Sequence, residues 1–279
     1  MTIQPISKVK KLMNDSGSPM FLLLNLKSHL LSAASRRFGV NSKLQDGNHQ
    51  VKSWNGYARL PDGNKIMYHW KDRHEISYVV KEIYQLGVYD HVGAPRTGET
   101  VVDVGGHIGI YTTYAATKVG PAGQVVAVEP SPDNFSFLCH NIAANGFKNV
   151  TPVNIALADA PGTAKLFLDG SGRHSLLSKG GNDYIDTKLM PLDSLVEQLK
   201  LENIDLLKID VEGFELKVLM GGAEALKSKI KRLAIAAYHY PTEVEEVTSF
   251  IKSVAPHFKF SVFPSRKESP EDVFLFAYS

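Results

Sequence analysis

Three stretches of the 279-residue chain have the residue types and spacing to do chemistry. The first is Asp103-Val-Gly-Gly-His-Ile-Gly109, a glycine turn directly after the apolar pair Val101-Val102. Gly105, Gly106 and Gly109 allow backbone conformations and close ligand approach that a Cβ would obstruct. His107 lies inside the turn, and N–H groups at the helix start expected after it favour a negative group such as a carboxylate. The second is Glu129-Pro130-Ser131, closing the apolar run Gln124-Val-Val-Ala-Val128. Its acid falls roughly where a residue ~20 positions on binds ribose hydroxyls in a dinucleotide fold. The third is Lys208-Ile-Asp-Val-Glu212, with His239 at the end of the next apolar run.

A nicotinamide dinucleotide is the obvious ligand to weigh against these residues. Its fingerprint is G-x-G-x-x-G, whereas this turn reads D-x-G-x-x-x-G with an acid ahead of the glycines. An anionic Asp103 is awkward beside a pyrophosphate but suits the cationic amino group of S-adenosylmethionine. The expected cofactor is therefore S-adenosylmethionine. Its contacts would come from Asp103, Gly105, Gly106, His107, Gly109, Glu129, Pro130 and Ser131, with Ala156 and Leu157 near the adenine. On the acceptor side, Asp210 and His239 are the candidates to take a proton from an attacking group. Glu212 is placed near them, and Lys208 is expected to organise the carboxylates. Asp210, Glu212 and His239 could together bind a metal. Acids alternating along a turn are not a specific ligand signature, so no metal is expected. Cys139, the single cysteine, excludes an intrachain disulfide and a multi-cysteine zinc site, and fits a reducing compartment.

The elements that must hold these residues follow from the hydrophobic pattern. Near-continuous apolar strands are expected at 101–104, 124–128, 150–155, 204–209 and 233–237, alternating with helices near 110–117, 131–145 and 214–226. That alternation means a parallel sheet covered on both faces, an α/β fold. Lys259-Phe-Ser-Val-Phe263 and Val273-Phe-Leu-Phe-Ala277 have no helix between them and predict an antiparallel pair at the sheet edge. Upstream, Pro61-Asp62-Gly63 divides two strand-like runs into a hairpin, and Glu75–Leu86 carries helical spacing that stops at Gly87. The expected organisation is an N-terminal helical extension over 1–50, a hairpin and helix over 51–95, and a cofactor-binding domain over 96–279. A glycine-rich loop, Asp169 to Gly181, either covers the acceptor or is an ordinary surface loop.

Charge and hydropathy narrow the partners. Lys and Arg number 31 against 29 Asp and Glu, a formal net charge of +2. Nucleic acid is disfavoured, because phosphate binding needs a concentrated basic surface. No segment reaches the ~20 apolar residues that span a bilayer, so a cytoplasmic location is expected. An amphipathic helix over residues 20–38 would pack on the core or on a partner chain in preference to an anionic membrane surface. The oligomeric state is not written in the sequence.

Longer motifs carry a family resemblance. They are Val102-Asp-Val-Gly-Gly-His-Ile-Gly-Ile-Tyr-Thr112, Val128-Glu-Pro-Ser-Pro-Asp-Asn-Phe135, Pro191-Leu-Asp-Ser-Leu195 and Leu207-Lys-Ile-Asp-Val-Glu-Gly-Phe-Glu-Leu216. With Asn154-Ile-Ala-Leu-Ala-Asp159 and Val218-Leu-Met-Gly-Gly222, they make the chain resemble an FkbM-type methyltransferase, a branch of the class I S-adenosylmethionine-dependent family. One departure is Ala236-Ala-Tyr-His239, where members often carry an acid before the histidine. The resemblance implies a Rossmann-like sheet of order 3-2-1-4-5-7-6 with strand 7 antiparallel, and O-methylation of a hydroxyl on a sugar, glycolipid or secondary metabolite. N-methylation of a small amine or protein side chain is the rival enzyme reading. A non-catalytic cofactor-binding scaffold docking through its N-terminal helix is the other.

Overall fold

The apolar runs pair into one large sheet. The computed structural model describes residues 55–168, 174–177, 183–264 and 273–279. In chain order, the elements begin with β1 (Asn55–Arg59), β2 (Lys65–His69) and α1 (Arg73–Val80), which continues into a π-helical turn, Lys81–Leu86. Next come β3 (Thr100–Val104), α2 (Ile110–Val119), β4 (Gln124–Val128), α3 (Pro132–Ala144) and β5 (Val150–Val153). Then follow β6 (Ala156–Leu157), β7 (Gly162–Phe167), β8 (Tyr184–Met190), α4 (Leu192–Leu199) and β9 (Leu206–Ile209). The remainder is α5 (Glu215–Met220), α6 (Ala223–Ser228), β10 (Arg232–Ala236), α7 (Glu243–Val254), β11 (Lys259–Pro264) and β12 (Val273–Tyr278).

The seven-stranded sheet runs β11-β12-β10-β9-β3-β4-β5. Only β12 is antiparallel to its neighbours. Counting strands within this sheet alone gives 3-2-1-4-5-7-6 with the seventh reversed, as expected. Every residue of β3 and β9 is buried, because helices cover both faces of these central strands. The chain leaves β3 toward β4 and later returns on its other side as β9. That reversal opens a crevice at the strand carboxyl ends, where open α/β sheets bind ligands.

The hairpin turn is held by Asp62, whose Oδ1 accepts the Asn64 N–H at 3.0 Å. Leu60, Ile66 and Tyr68 of the hairpin share one apolar cluster with Ile76, Ile83, Val101, Phe274 and Phe276. The segment before the sheet is thus part of its core. Asn141 of α3 and Asn145, which caps the helix's C-terminal end, complete the seam. Asn141 accepts the Met67 N–H at 2.7 Å and donates to the Met67 carbonyl at 3.0 Å. Asn145 does the same for Lys65, both bonds at 2.8 Å.

Three element readings are corrected. The helix expected over 214–226 is two helices, α5 and α6, divided at Gly221-Gly222. A Cβ at Gly221 would overlap the carbonyl oxygen of Ala158, so the pair marks a close crossing. The strand expected over 150–155 ends at Val153, and Ala156-Leu157 instead joins β8 in a three-stranded sheet of order β6-β8-β7. Strands β7 and β8 were not anticipated. Residues 1–50, including the helix expected over 20–38, lie outside the described residues. Among the described residues no helix is long and apolar enough to cross a membrane.

Candidate active site

At the carboxyl ends of β3, β4 and β9 lies a cavity of about 570 Å³. Gly105, Gly106, His107, Glu129, Pro130, Ala156, Leu157, Lys208, Asp210 and Glu212 all border it. Gly105 has φ +79°, and a Cβ there would overlap the Asp210 carbonyl oxygen, so glycine lets the ends of β3 and β9 close together. Helix α2 starts from this turn with no side-chain cap. Its first N–H groups lack helical partners, as at any helix start, and suit an anionic group.

Glu129 is 5% exposed, at the end of β4. Its Oε2 accepts the His107 N–H at 2.8 Å and its Oε1 accepts the Ser131 N–H at 2.9 Å. Burial pushes its pKa up to about 7, against the pull of those two backbone bonds. The Asn134 side chain is a further partner, and of the carboxylate's roughly four acceptor positions about one remains for a donor in the cavity. His107 is part-buried at the cavity wall with its Nε2 enclosed and unpaired, and burial lowers its pKa to about 4. It therefore stands neutral against the ligand.

On the opposite wall Asp210 follows β9, and its Oδ2 accepts the Tyr89 hydroxyl at 2.7 Å. Behind it, Lys208 Nζ lies 3.1 Å from Asp103 Oδ1 and donates to the Gly105 carbonyl at 2.9 Å. Burial by itself would lower the Lys208 pKa. The Asp103 and Asp210 charges outweigh that and hold it above its ordinary value. The ammonium also sits over the rings of Tyr89 and Tyr111, 5.5 and 5.8 Å from their centroids.

Four expected contacts are not cavity walls. Asp103 is fully buried behind the glycine turn, where Lys208 and the Thr112 hydroxyl (2.6 Å) take its oxygens. It fastens β3 to β9 and does not reach an amino group in the cavity. Gly109 packs against Leu138, and Ser131 caps α3 through Asn134. His239 ends β10 behind Asp210, with its side chain 5% exposed. Nδ1 is 3.3 Å from both Glu215 Oε1 and Glu243 Oε2, and Nε2 is 3.9 Å from Asp210 Oδ1. Burial alone would lower its pKa, but Glu243, Glu215, Asp210 and Glu212 together raise it to about 9. A pKa raised in this way favours a charge partner to these carboxylates over a general base at neutral pH.

Sequence reasoning missed Tyr89 and Glu243. The Tyr89–Asp210 bond spans 121 residues and leaves no local trace. Glu243 had a weak one, four residues after His239 at a helix start. Of the glycine-rich loop, His174 and Leu176 border the cavity, and the Ser175 hydroxyl donates to the Glu212 carbonyl at 2.8 Å.

Comparison with known proteins agrees with this architecture. The methyltransferase FkbM domain matches residues 103–260, more than half of the chain. The methyltransferase sdnD of Sordaria araneosa is 26% identical over 64% of this chain and 81% of its own. The hexuronic acid methyltransferase AglP of Haloferax volcanii is 30% identical over 53% of this chain and 59% of its own. The 31-O-demethyl-FK506 methyltransferase FkbM of Streptomyces tacrolimicus is 24% identical, covering 70% of this chain and 86% of its own. The chain belongs to the FkbM methyltransferase family.

Proposed function

We propose that this FkbM-family methyltransferase uses S-adenosylmethionine to methylate a hydroxyl oxygen of a small acceptor, such as a sugar, glycolipid or secondary metabolite. The observation that carries the reading is Glu129. It is a buried carboxylate at the end of β4, opposite a glycine turn and a helix start, and it borders the one cavity they share. Those groups fit the donor: Glu129 would hold the ribose hydroxyls, and the start of α2 the methionine carboxylate. Ala156 and Leu157 would flank the adenine. When bound, S-adenosylmethionine supplies an electrophilic methyl group on a sulfonium.

The rest is the work of this chain's residues. Alignment of two bound reactants contributes several kcal/mol of the barrier, up to about 7–11 in ideal cases. Asp210 is placed to accept or orient the acceptor's hydroxyl proton, since Tyr89 occupies Oδ2 and leaves Oδ1. A positioned base of this kind is worth about 10²–10⁴-fold. His239 lies behind it, with Nε2 3.9 Å from Asp210 Oδ1. Support for a hydroxyl acceptor comes from the relatives, one named for a hexuronic acid and one for a 31-O-demethyl substrate.

Calorimetry with S-adenosylmethionine tests the reading. Saturable binding is expected, and Glu129→Ala should weaken it by about 1–3 kcal/mol, roughly 5- to 150-fold. Absence of binding by the unaltered chain would sink the proposal.

A further inference from the structure

We propose that Asp210, Glu212 and His239 form a binding site for a first-row divalent cation on the acceptor side of the cavity. The site deepens the methyltransferase reading and rests on it for its use, which would be to hold and polarise the acceptor's oxygen. One donor atom from each of the three residues lies within 4.8 Å of the others. In sequence, acids alternating along a turn showed no ligand spacing. The fold supplies it by bringing the end of β10 against the end of β9.

The imidazole is the independent sign. The His239 side chain is 5% exposed, and its Nε2, on the side of Asp210, makes no hydrogen bond. A buried polar atom left in that state is costly. Its Nε2 lies 3.9 Å from Asp210 Oδ1, too far for a hydrogen bond. Two donors each about 2.1 Å from one ion sit about 3.0–3.4 Å apart, so the pair would close by about half an ångström around it.

The other side of the ring is built to match. Nδ1 faces Glu215 and Glu243, each at 3.3 Å. Carboxylates behind a ligating histidine fix its tautomer and orientation. These two acids are fully buried and tied to backbone, Glu215 to the Val211 N–H and Glu243 to the His239 N–H. They face Nδ1, the side of the ring turned away from Asp210. Asp210 is steadied in the same way by Tyr89 at 2.7 Å. Lys208 is committed to Asp103, 3.1 Å away.

One imidazole with two carboxylates suits manganese, iron or zinc better than the all-oxygen surroundings of calcium or magnesium. Three protein donors leave positions open for acceptor oxygens, and a bound hydroxyl loses its proton more readily. A cation there would also replace the charge that a protonated His239 carries.

The experiment titrates the full chain, stripped with EDTA, with MnCl2 and separately with ZnSO4, by calorimetry, without donor or acceptor. A saturable isotherm of one ion per chain is expected for at least one metal. Glu212→Gln and Asp210→Asn should each weaken it by about tenfold or more. The surface variant Glu224→Gln should not. S-adenosylmethionine binding and the melting temperature are measured on every variant to establish that each is folded. A folded chain that binds S-adenosylmethionine but neither metal overturns the site and leaves the methyltransferase reading standing. Metal binding unchanged in both Glu212→Gln and Asp210→Asn also overturns it. Metal binding lost in those variants, in a chain that binds no S-adenosylmethionine, supports the site and rejects the donor.

Discussion

Around one imidazole the fold gathers four carboxylates: Asp210 and Glu212 after β9, Glu215 in α5 and Glu243 in α7. Burial disfavours the charged ring, yet the carboxylates win and its pKa rises from 6.5 to about 9. The sign follows from proton linkage. A pKa raised in the folded state adds stability that is fully present below pH 6.5 and disappears as the pH climbs through 9. The gap corresponds to about 3 kcal/mol. Urea denaturation in EDTA between pH 6 and pH 10 should show an alkaline loss of that order. His239→Gln should flatten the loss, and a variant as pH-sensitive as the parent would remove the imidazolium from the account. The same raised pKa favours His239 as a charge partner to Asp210 over a role as base.

At the scale of elements, the break between α5 and α6 is the most testable feature. Gly221 has an ordinary helical φ of −73°, so its need for glycine is spatial and not conformational. Gly221→Ala would press a methyl group on the Ala158 carbonyl. Overpacking of this kind costs about 1–3 kcal/mol, read as a lowered urea midpoint. An unchanged midpoint would mean that the crossing yields easily. This contact also shows where sequence reading stops. The strands β3, β4, β9 and β10 were legible because burial on both faces makes them runs of Val, Leu, Ile and Ala. Glu129 and the glycine turn were legible because their spacing is local. The helix break depends on Ala158, far along the chain, and Asp103 depends on Lys208 across a strand pair. Neither partner leaves a periodic mark. Strands β7 and β8 mix exposed and buried positions too irregularly to announce themselves.

For the molecule as a whole, the hairpin is read by the core much as a strand reads its neighbour. Asn141 satisfies both backbone groups of Met67 and also the Ile108 carbonyl, at 2.8 Å. Asn141→Leu would leave those groups without partners, at a cost of about 1–3 kcal/mol for each buried one. Hydrogen exchange at Met67 should accelerate in that variant while β3 and β9 stay protected. Equal acceleration everywhere would mean that the hairpin and sheet open as one unit. The seam matters because the segment it anchors leads directly to Tyr89, the hydroxyl that holds Asp210.

The cavity has two kinds of wall. Gly105, Glu129 and Asp210 lie in the stretch that matches the family, whereas Glu75, Val79 and Glu82 precede its first matched residue, Asp103. Substitutions along α1 therefore reshape the space without disturbing the glycine turn or the acid of β4. On the proposed function, such a division would let a lineage exchange one acceptor for another by rewriting a short stretch of chain, with the proposed donor-binding residues inherited intact.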